Sequence, residues 1–241
     1  LTDDLGGFEP RDTVNLCPLK EIATAMFEVE RRPVVTYVLI AVNLIAFLLS
    51  LVTGLTRAFL TFGAVPALIA LDYEYYRLIT SMFLHADFLH ILFNMWALFV
   101  FGRDIESSVG SGRFTLLYFL SGIVGGIAYV YYMLTYAVTF DPRAAFIPAI
   151  GASGAVFGVM GSFAVLYPRR PVAFFFYFLP IVAPAFVAIT LMGLIQTVLA
   201  LALPFSSIAY TAHIGGLAVG MLMGLWFRSL LRRRYYAIFY Y

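Results

Sequence analysis

Six stretches of this chain are apolar for close to the length that a lipid bilayer is thick, and that pattern decides what it can fold into. A spanning helix needs about 20 mainly apolar residues, because each residue adds ~1.5 Å and the hydrocarbon core is ~30 Å across. The stretches start at Val34, Leu78, Phe114, Ser153, Pro184 and Ile208 and end at Gly54, Phe101, Tyr136, Tyr167, Leu203 and Phe227. Composition agrees: 63% of residues are hydrophobic and 12% charged, against roughly 45–50% apolar in soluble domains. The expected fold is all-α, a polytopic membrane bundle of six transmembrane helices over residues 31–241, with a polar cytoplasmic tail over 1–30. No charged-then-apolar signal with a small-residue cleavage site precedes the first stretch, so all six are expected to persist in the mature protein.

The fourth stretch, Ser153 to Tyr167, is short: about 15 residues make ~22 Å of helix. Its first residue must start below the outer surface, and non-helical backbone at that depth requires surrounding protein or a water-filled cavity. A partly sunken fourth helix with a cavity at Ser153 is therefore expected. The apolar run 172–203 is too long for one span, and Pro180 and Pro184 interrupt it. A helix is expected from Pro184, with 172–179 lying at the cytoplasmic interface. In the first loop, Leu55 to Arg77, the apolar stretch Phe62 to Leu71 is too short to span and is expected at the outer interface. A second loop, Ala137 to Ala152, leads into the fourth span.

Basic residues set the orientation, since the cytoplasmic side carries the Lys and Arg excess. With the N-terminus inside, twelve fall on the cytoplasmic side, while only Arg57, Arg77 and Arg143 fall outside. Both termini are thus expected to be cytoplasmic. Arg232, Arg233 and Arg234 follow an apolar run directly and read as an anchor to anionic lipid headgroups. A formal charge of +2 without a basic, aromatic-rich exposed segment gives no reason to expect nucleic acid. Cys17 is the only cysteine, so no intramolecular disulfide can form.

Gly151-Ala-Ser153-Gly154 opens the fourth stretch. Glycine lets backbone approach a ligand closely. A serine at a helix N-terminus has free N–H groups and the positive dipole end directed at it, and these stabilise a developing oxyanion. Taken alone, the motif suits an N-cap followed by packing glycines at least as well, with Gly154 and Gly158 spaced by four. The histidines change that balance. All three, His85, His90 and His213, fall within apolar stretches, where ionisable side chains are costly and mark function.

His213 stands three residues before Gly216, on the face that Gly216, Gly220 and Gly224 keep smooth for a close neighbour. Ser153 precedes Arg169 by 16 residues and His213 precedes Arg228 by 15, so the two share a depth within about one residue rise. That is the arrangement in which a base can activate a hydroxyl. His90 and Asn94, at i and i+4, share a helix face, and both can donate to an oxyanion. By the same depth count Asn94 comes out about a turn deeper. His85, five positions before His90, points to another side of that helix and reads as structural, holding the first loop.

These motifs resemble those of the rhomboid family: Gly-x-Ser-Gly opening the fourth span, Ala-His-x-x-Gly in the sixth and His-x-x-x-x-His-x-x-x-Asn in the second. Here they read Gly151-Ala-Ser153-Gly154, Ala212-His213-Ile-Gly-Gly216 and His85-Ala-Asp-Phe-Leu-His90-Ile-Leu-Phe-Asn94. The resemblance runs from about Arg31 onward. It implies an intramembrane serine endopeptidase that hydrolyses a peptide bond near the outer end of a substrate's transmembrane helix. Ser153 would be the nucleophile and His213 its base, without a carboxylate, while His90, Asn94 and the Ser153 N–H would form the oxyanion hole. The partners implied are transmembrane protein substrates and membrane lipids, in the cell membrane, with no cofactor and no metal. Tyr76-Arg77 departs from the Trp-Arg that often ends the family's first loop. Glu106 and Gly110 resemble its Glu-x-x-x-Gly after the second span, a structural cap. Phe157 matches an aromatic set against the histidine ring, a position that ordinary core packing explains as well.

The residues exclude other intramembrane protease chemistries. A zinc protease would need HExxH, whereas His85 is followed by alanine and the histidine spacing is five. An aspartyl protease would need two embedded aspartates, and Asp87 is the only acid within an expected span. Two further readings are a histidine-dependent proton-coupled transporter and an inactive rhomboid-like helix binder. The first would carry repeated halves or a broken helix pair, and this sequence has no internal repeat. The second typically lacks the serine or the histidine, and both are present here.

Overall fold

The computed structural model describes residues 32–176, 179–206 and 208–239; the tail expected over 1–30 lies outside them. The first span is α1 (Val34–Thr53). The first loop folds into α2 (Leu55–Phe62), α3 (Pro66–Leu71) and α4 (Arg77–Thr80). The second span is composite, with α5 (Phe88–Ala97), a π turn (Leu98–Gly102) and α6 (Arg103–Val109). There follow α7 (Ser111–Thr135), α8 (Ser153–Leu166), a hairpin of β1 (Pro171–Phe176) and β2 (Leu179–Pro184), α9 (Ala185–Ala202) and α10 (Tyr210–Phe239). Among the described residues, five helices are long and apolar enough to cross a bilayer. The fourth, α8, has 14 residues, or ~21 Å. The protein is an integral, polytopic helical membrane protein with a short fourth helix.

That short helix is the centre of the bundle. From Gly154 to Val165 every residue of α8 is buried except the half-buried Phe157, as expected of a helix that is apolar on all sides. The outer helices behave differently. α1 turns Val38, Ile45, Leu48 and Val52 outward, and α9 does the same with Phe186, Leu194 and Val198, the surface that hydrocarbon solvates.

Contact between α8 and α10 is backbone on backbone. A methyl group on Gly216 would lie 1.9 Å from the Gly154 carbonyl oxygen, and one on Gly220 would lie 1.9 Å from that of Gly158. Gly161 faces the Leu217 carbonyl in the same way. The small-residue stripe read from the sequence is therefore an interface that only glycine fills, and it brings Ser153 and His213 onto adjoining helices.

One expectation about a boundary is corrected. The second span starts at Phe88 rather than Leu78, because residues 84–87 break the helix between a short 3₁₀ turn (Ser81–Phe83) and α5. Asp87 causes the new start. Its backbone is extended and its carboxylate accepts the His90 N–H at 2.8 Å, an N-cap. Asp87 is thus a cap at the mouth of the span, not an acid within it.

In the stretch expected at the cytoplasmic interface, β1 pairs antiparallel with β2 from Pro171↔Pro184 to Phe176↔Leu179. Prolines bound a run of branched and aromatic residues, which favours paired strands. The helix after Pro184 begins at Ala185, as expected.

Loops and caps close the rest. Arg77 is buried and donates to the Leu60 and Gly63 carbonyls at 2.9 and 3.0 Å, with Glu74 as its ion-pair partner. The first loop is thereby pinned although Tyr76 replaces the tryptophan. Glu106, fully buried, accepts the N–H groups of Val35 and Thr36, the Thr36 hydroxyl and the Ser111 hydroxyl at 2.7–2.9 Å. It caps the first turn of α1 from the second span and ties in the start of α7, which makes it the structural cap that the sequence suggested.

Candidate active site

Ser153 sits where an extended segment turns into α8. Ala64 and Ala149 pair backbone to backbone, Tyr129 holds the Ile147 carbonyl at 3.1 Å, and the Gly151 N–H donates to the Ser81 carbonyl at 2.9 Å. The first loop, α7 and the turn before α5 therefore fix the approach to Ser153. Gly151 has φ +120°, a conformation that side-chain-bearing residues rarely adopt. A Cβ there would also meet His90 Nε2 at 2.8 Å and would stand 3.6 Å from Ser153 Oγ. The glycine requirement is thus conformational and steric together, and it places the His90 ring beside the serine.

The expected nucleophile and base are brought together. His213 Nε2 lies 2.7 Å from Ser153 Oγ, a normal hydrogen-bond length. The imidazole stacks on Phe157, with 4.5 Å between ring centroids and 5° between planes. Of the two readings of Phe157, the one against the histidine ring matches this packing. On the other ring edge, His213 Nδ1 lies 3.1 Å from Gln196 Oε1 on α9. If Nε2 accepts the serine proton, Nδ1 carries the imidazole hydrogen and donates it to that oxygen.

Gln196 was missed in the sequence, although a signal exists. It is the chain's only glutamine and stands in the middle of an apolar span, where polar side chains are rarely idle.

The remaining site residues divide. His90 is half-buried, and its Nδ1 lies 3.4 Å from the Ala86 N–H. Its Nε2 edge is the one facing Gly151. Asn94 is buried and donates Nδ2 to the His90 carbonyl at 2.9 Å, one turn back along its own helix. Among the described residues, no hydrogen bond joins Asn94 to Ser153 or His213. His85 does not share the helix of His90. It sits in the break before α5, fully buried, with its ring edge-on to that of His90 at 5.1 Å, so it supports His90 directly.

Such a group of side chains can move a proton from a hydroxyl to an imidazole, beside a helix N-terminus whose first N–H groups lack helical partners. A family model for the rhomboid domain matches residues 72–230. Among curated relatives, Rhomboid protease GluP of Bacillus subtilis (strain 168) is 32% identical over 194 residues, 78% of this chain and 34% of its own. Rhomboid protein 1, mitochondrial, of Saccharomyces cerevisiae is 35% identical over 153 residues, 63% of this chain and 41% of its own. Putative rhomboid protease YdcA of Bacillus subtilis (strain 168) is 35% identical over 165 residues, covering 67% and 72% respectively. The chain thus spans well under half the length of the first two relatives, and one further relative is named inactive.

Proposed function

Because the chain belongs to the rhomboid family, we propose that it is an intramembrane serine endopeptidase that cuts transmembrane protein substrates with Ser153 and His213. The observation that carries this reading is the 2.7 Å approach of His213 Nε2 to Ser153 Oγ at the N-terminus of a helix enclosed by the bundle. Ser153 Oγ attacks the substrate carbonyl while its proton passes to Nε2. The tetrahedral oxyanion is met by the Ser153 N–H, His90 and Asn94. The imidazolium then gives its proton to the departing amine, and water hydrolyses the acyl-enzyme by the same route in reverse. A helical amide is hydrogen-bonded and shielded, so the substrate must unwind locally before its carbonyl can enter. Its setting is the cell membrane, and the excess of basic residues on one side supports both termini being cytoplasmic.

The test is cleavage of a generic transmembrane substrate in liposomes, comparing wild type with Ser153→Ala. Wild type should cut and the variant should not. The base works as neutral imidazole, so the wild-type rate should rise with pH through the imidazole range. Binding without cleavage by the wild-type protein would favour an inactive helix binder. Cleavage that survives Ser153→Ala would place the nucleophile elsewhere.

A further inference from the structure

We infer that Gln196 is a positioning residue for His213, which adds the fifth span to a site otherwise built on the second, fourth and sixth. The inference rests on the protease reading for its kinetic consequences, while its geometry stands independently. Stacking on Phe157 at 4.5 Å and 5° fixes the plane of the imidazole, yet a stacked ring can still turn within its own plane. Two hydrogen bonds at opposite nitrogens stop that rotation. Ser153 Oγ holds Nε2 at 2.7 Å, and Gln196 Oε1 holds Nδ1 at 3.1 Å.

The same pair selects the tautomer. A base that is to receive the serine proton on Nε2 must carry its hydrogen on Nδ1, and in a buried site that hydrogen requires an acceptor. Gln196 supplies one from a neutral amide. It therefore orients the ring and leaves the imidazole more easily deprotonated than a carboxylate partner would.

The fold places Gln196 there by close packing. On α9, Ile189, Gly193 and Ala200 are buried, and Gln196 lies on the same stripe, at helical spacings of four, three and four. Ile195, Val198 and Leu194 turn outward. A methyl on Gly193 would meet the Leu217 side chain at 2.4 Å, so α9 and α10 are tightly packed one turn from the contact between Gln196 and His213. Gly193 against Leu217 and Gln196 against His213 are successive rungs of one antiparallel helix pair.

The experiment uses the full chain in detergent micelles and in liposomes, with Gln196→Met removing the acceptor at similar volume and Gln196→Glu retaining one. With ¹⁵N-labelled histidine, wild-type His213 should show the Nδ1–H tautomer, and Gln196→Met should shift it toward a mixture. Cleavage by Gln196→Met should lose on the order of 10- to 100-fold in kcat at unchanged KM, short of the ~10⁴ lost when a triad carboxylate is replaced. Gln196→Glu should recover most of the rate and move the acid limb of kcat/KM to higher pH, because a carboxylate favours the imidazolium. The inference is overturned if Gln196→Met keeps the wild-type tautomer and kcat, or if Gln196→Glu leaves the acid limb unmoved. If the methionine variant fails to fold, the glutamate variant's spectrum and pH profile still decide. Should the wild-type protein not cleave at all, the protease reading falls, while the tautomer measurement continues to test this contact.

Discussion

His90 and Asn94 share one helix face, with Asn94 about a turn deeper by the residue count, and their contacts in the structure differ as well. The His90 Nε2 edge faces Gly151, within a side chain's width of Ser153 Oγ. Asn94 spends one of its two amide hydrogens on the His90 carbonyl. Removing a single oxyanion donor typically costs on the order of 10²–10³ in rate. His90→Ala should therefore lose that much in kcat with substrate binding retained, and Asn94→Ala should lose less. Comparable losses from both would mean that the second Asn94 hydrogen reaches the oxyanion, and wild-type rates from both would place the hole elsewhere. At this scale the Ser153–His213 contact was legible, because the two could be levelled against their flanking arginines by counting residues. Gln196 was not. It is a single uncharged amide on the fifth span, outside the motifs of the second, fourth and sixth spans.

At the scale of elements, what the sequence conveyed best was anything governed by length or by small-residue spacing. The short fourth span and the glycine face of the sixth follow from ~1.5 Å per residue and from a repeat of four. The start of the second span was misjudged because hydropathy does not register a cap: Leu78 to Phe101 is apolar on average, while Asp87 and the extended backbone around it interrupt the helix. The hairpin at 171–184 escaped for a related reason, since an apolar run carries no sign of its pairing partner. Glycine positions give this scale its prediction. Gly220→Ala would force a methyl to within 1.9 Å of the Gly158 carbonyl, and backbone on both sides leaves nothing soft to move. Destabilisation by roughly 1–3 kcal/mol is expected. Gly112, also helical, has nothing within 4 Å of an added methyl, and Gly112→Ala should be neutral or stabilising by about 0.5–1 kcal/mol. Thermal unfolding of the two variants in detergent checks the contrast, and equal shifts would mean that helix propensity, not the α8–α10 contact, governs both.

Across the whole molecule, chemistry and cohesion are set at opposite ends of the fourth span. Ser153 begins α8, whereas Tyr167, just past its end, is hydrogen-bonded to Ser108 on α6, ~20 Å away along the helix. Near that far end Glu106 gathers three spans, accepting two backbone N–H groups and a hydroxyl from α1 and a hydroxyl from α7. All four donors are neutral, and two are backbone N–H groups in the first turn of a helix, whose dipole favours a carboxylate. Glu106→Ala would leave those donors buried without an acceptor, and Glu106→Gln would turn an amide N–H₂ toward at least one of them. Each should lower stability, the alanine variant by on the order of 3 kcal/mol. The dyad, a helix length distant, should be left in place. The expected pattern is a clear fall in the midpoint of thermal unfolding, with kcat of the protein that remains folded changed by less than about twofold, since a lost transition-state contact costs far more. Midpoint and kcat falling together at a temperature where the variant is fully folded would show instead that the α1–α6–α7 junction positions Ser153, and that the two ends of the bundle are one mechanical unit.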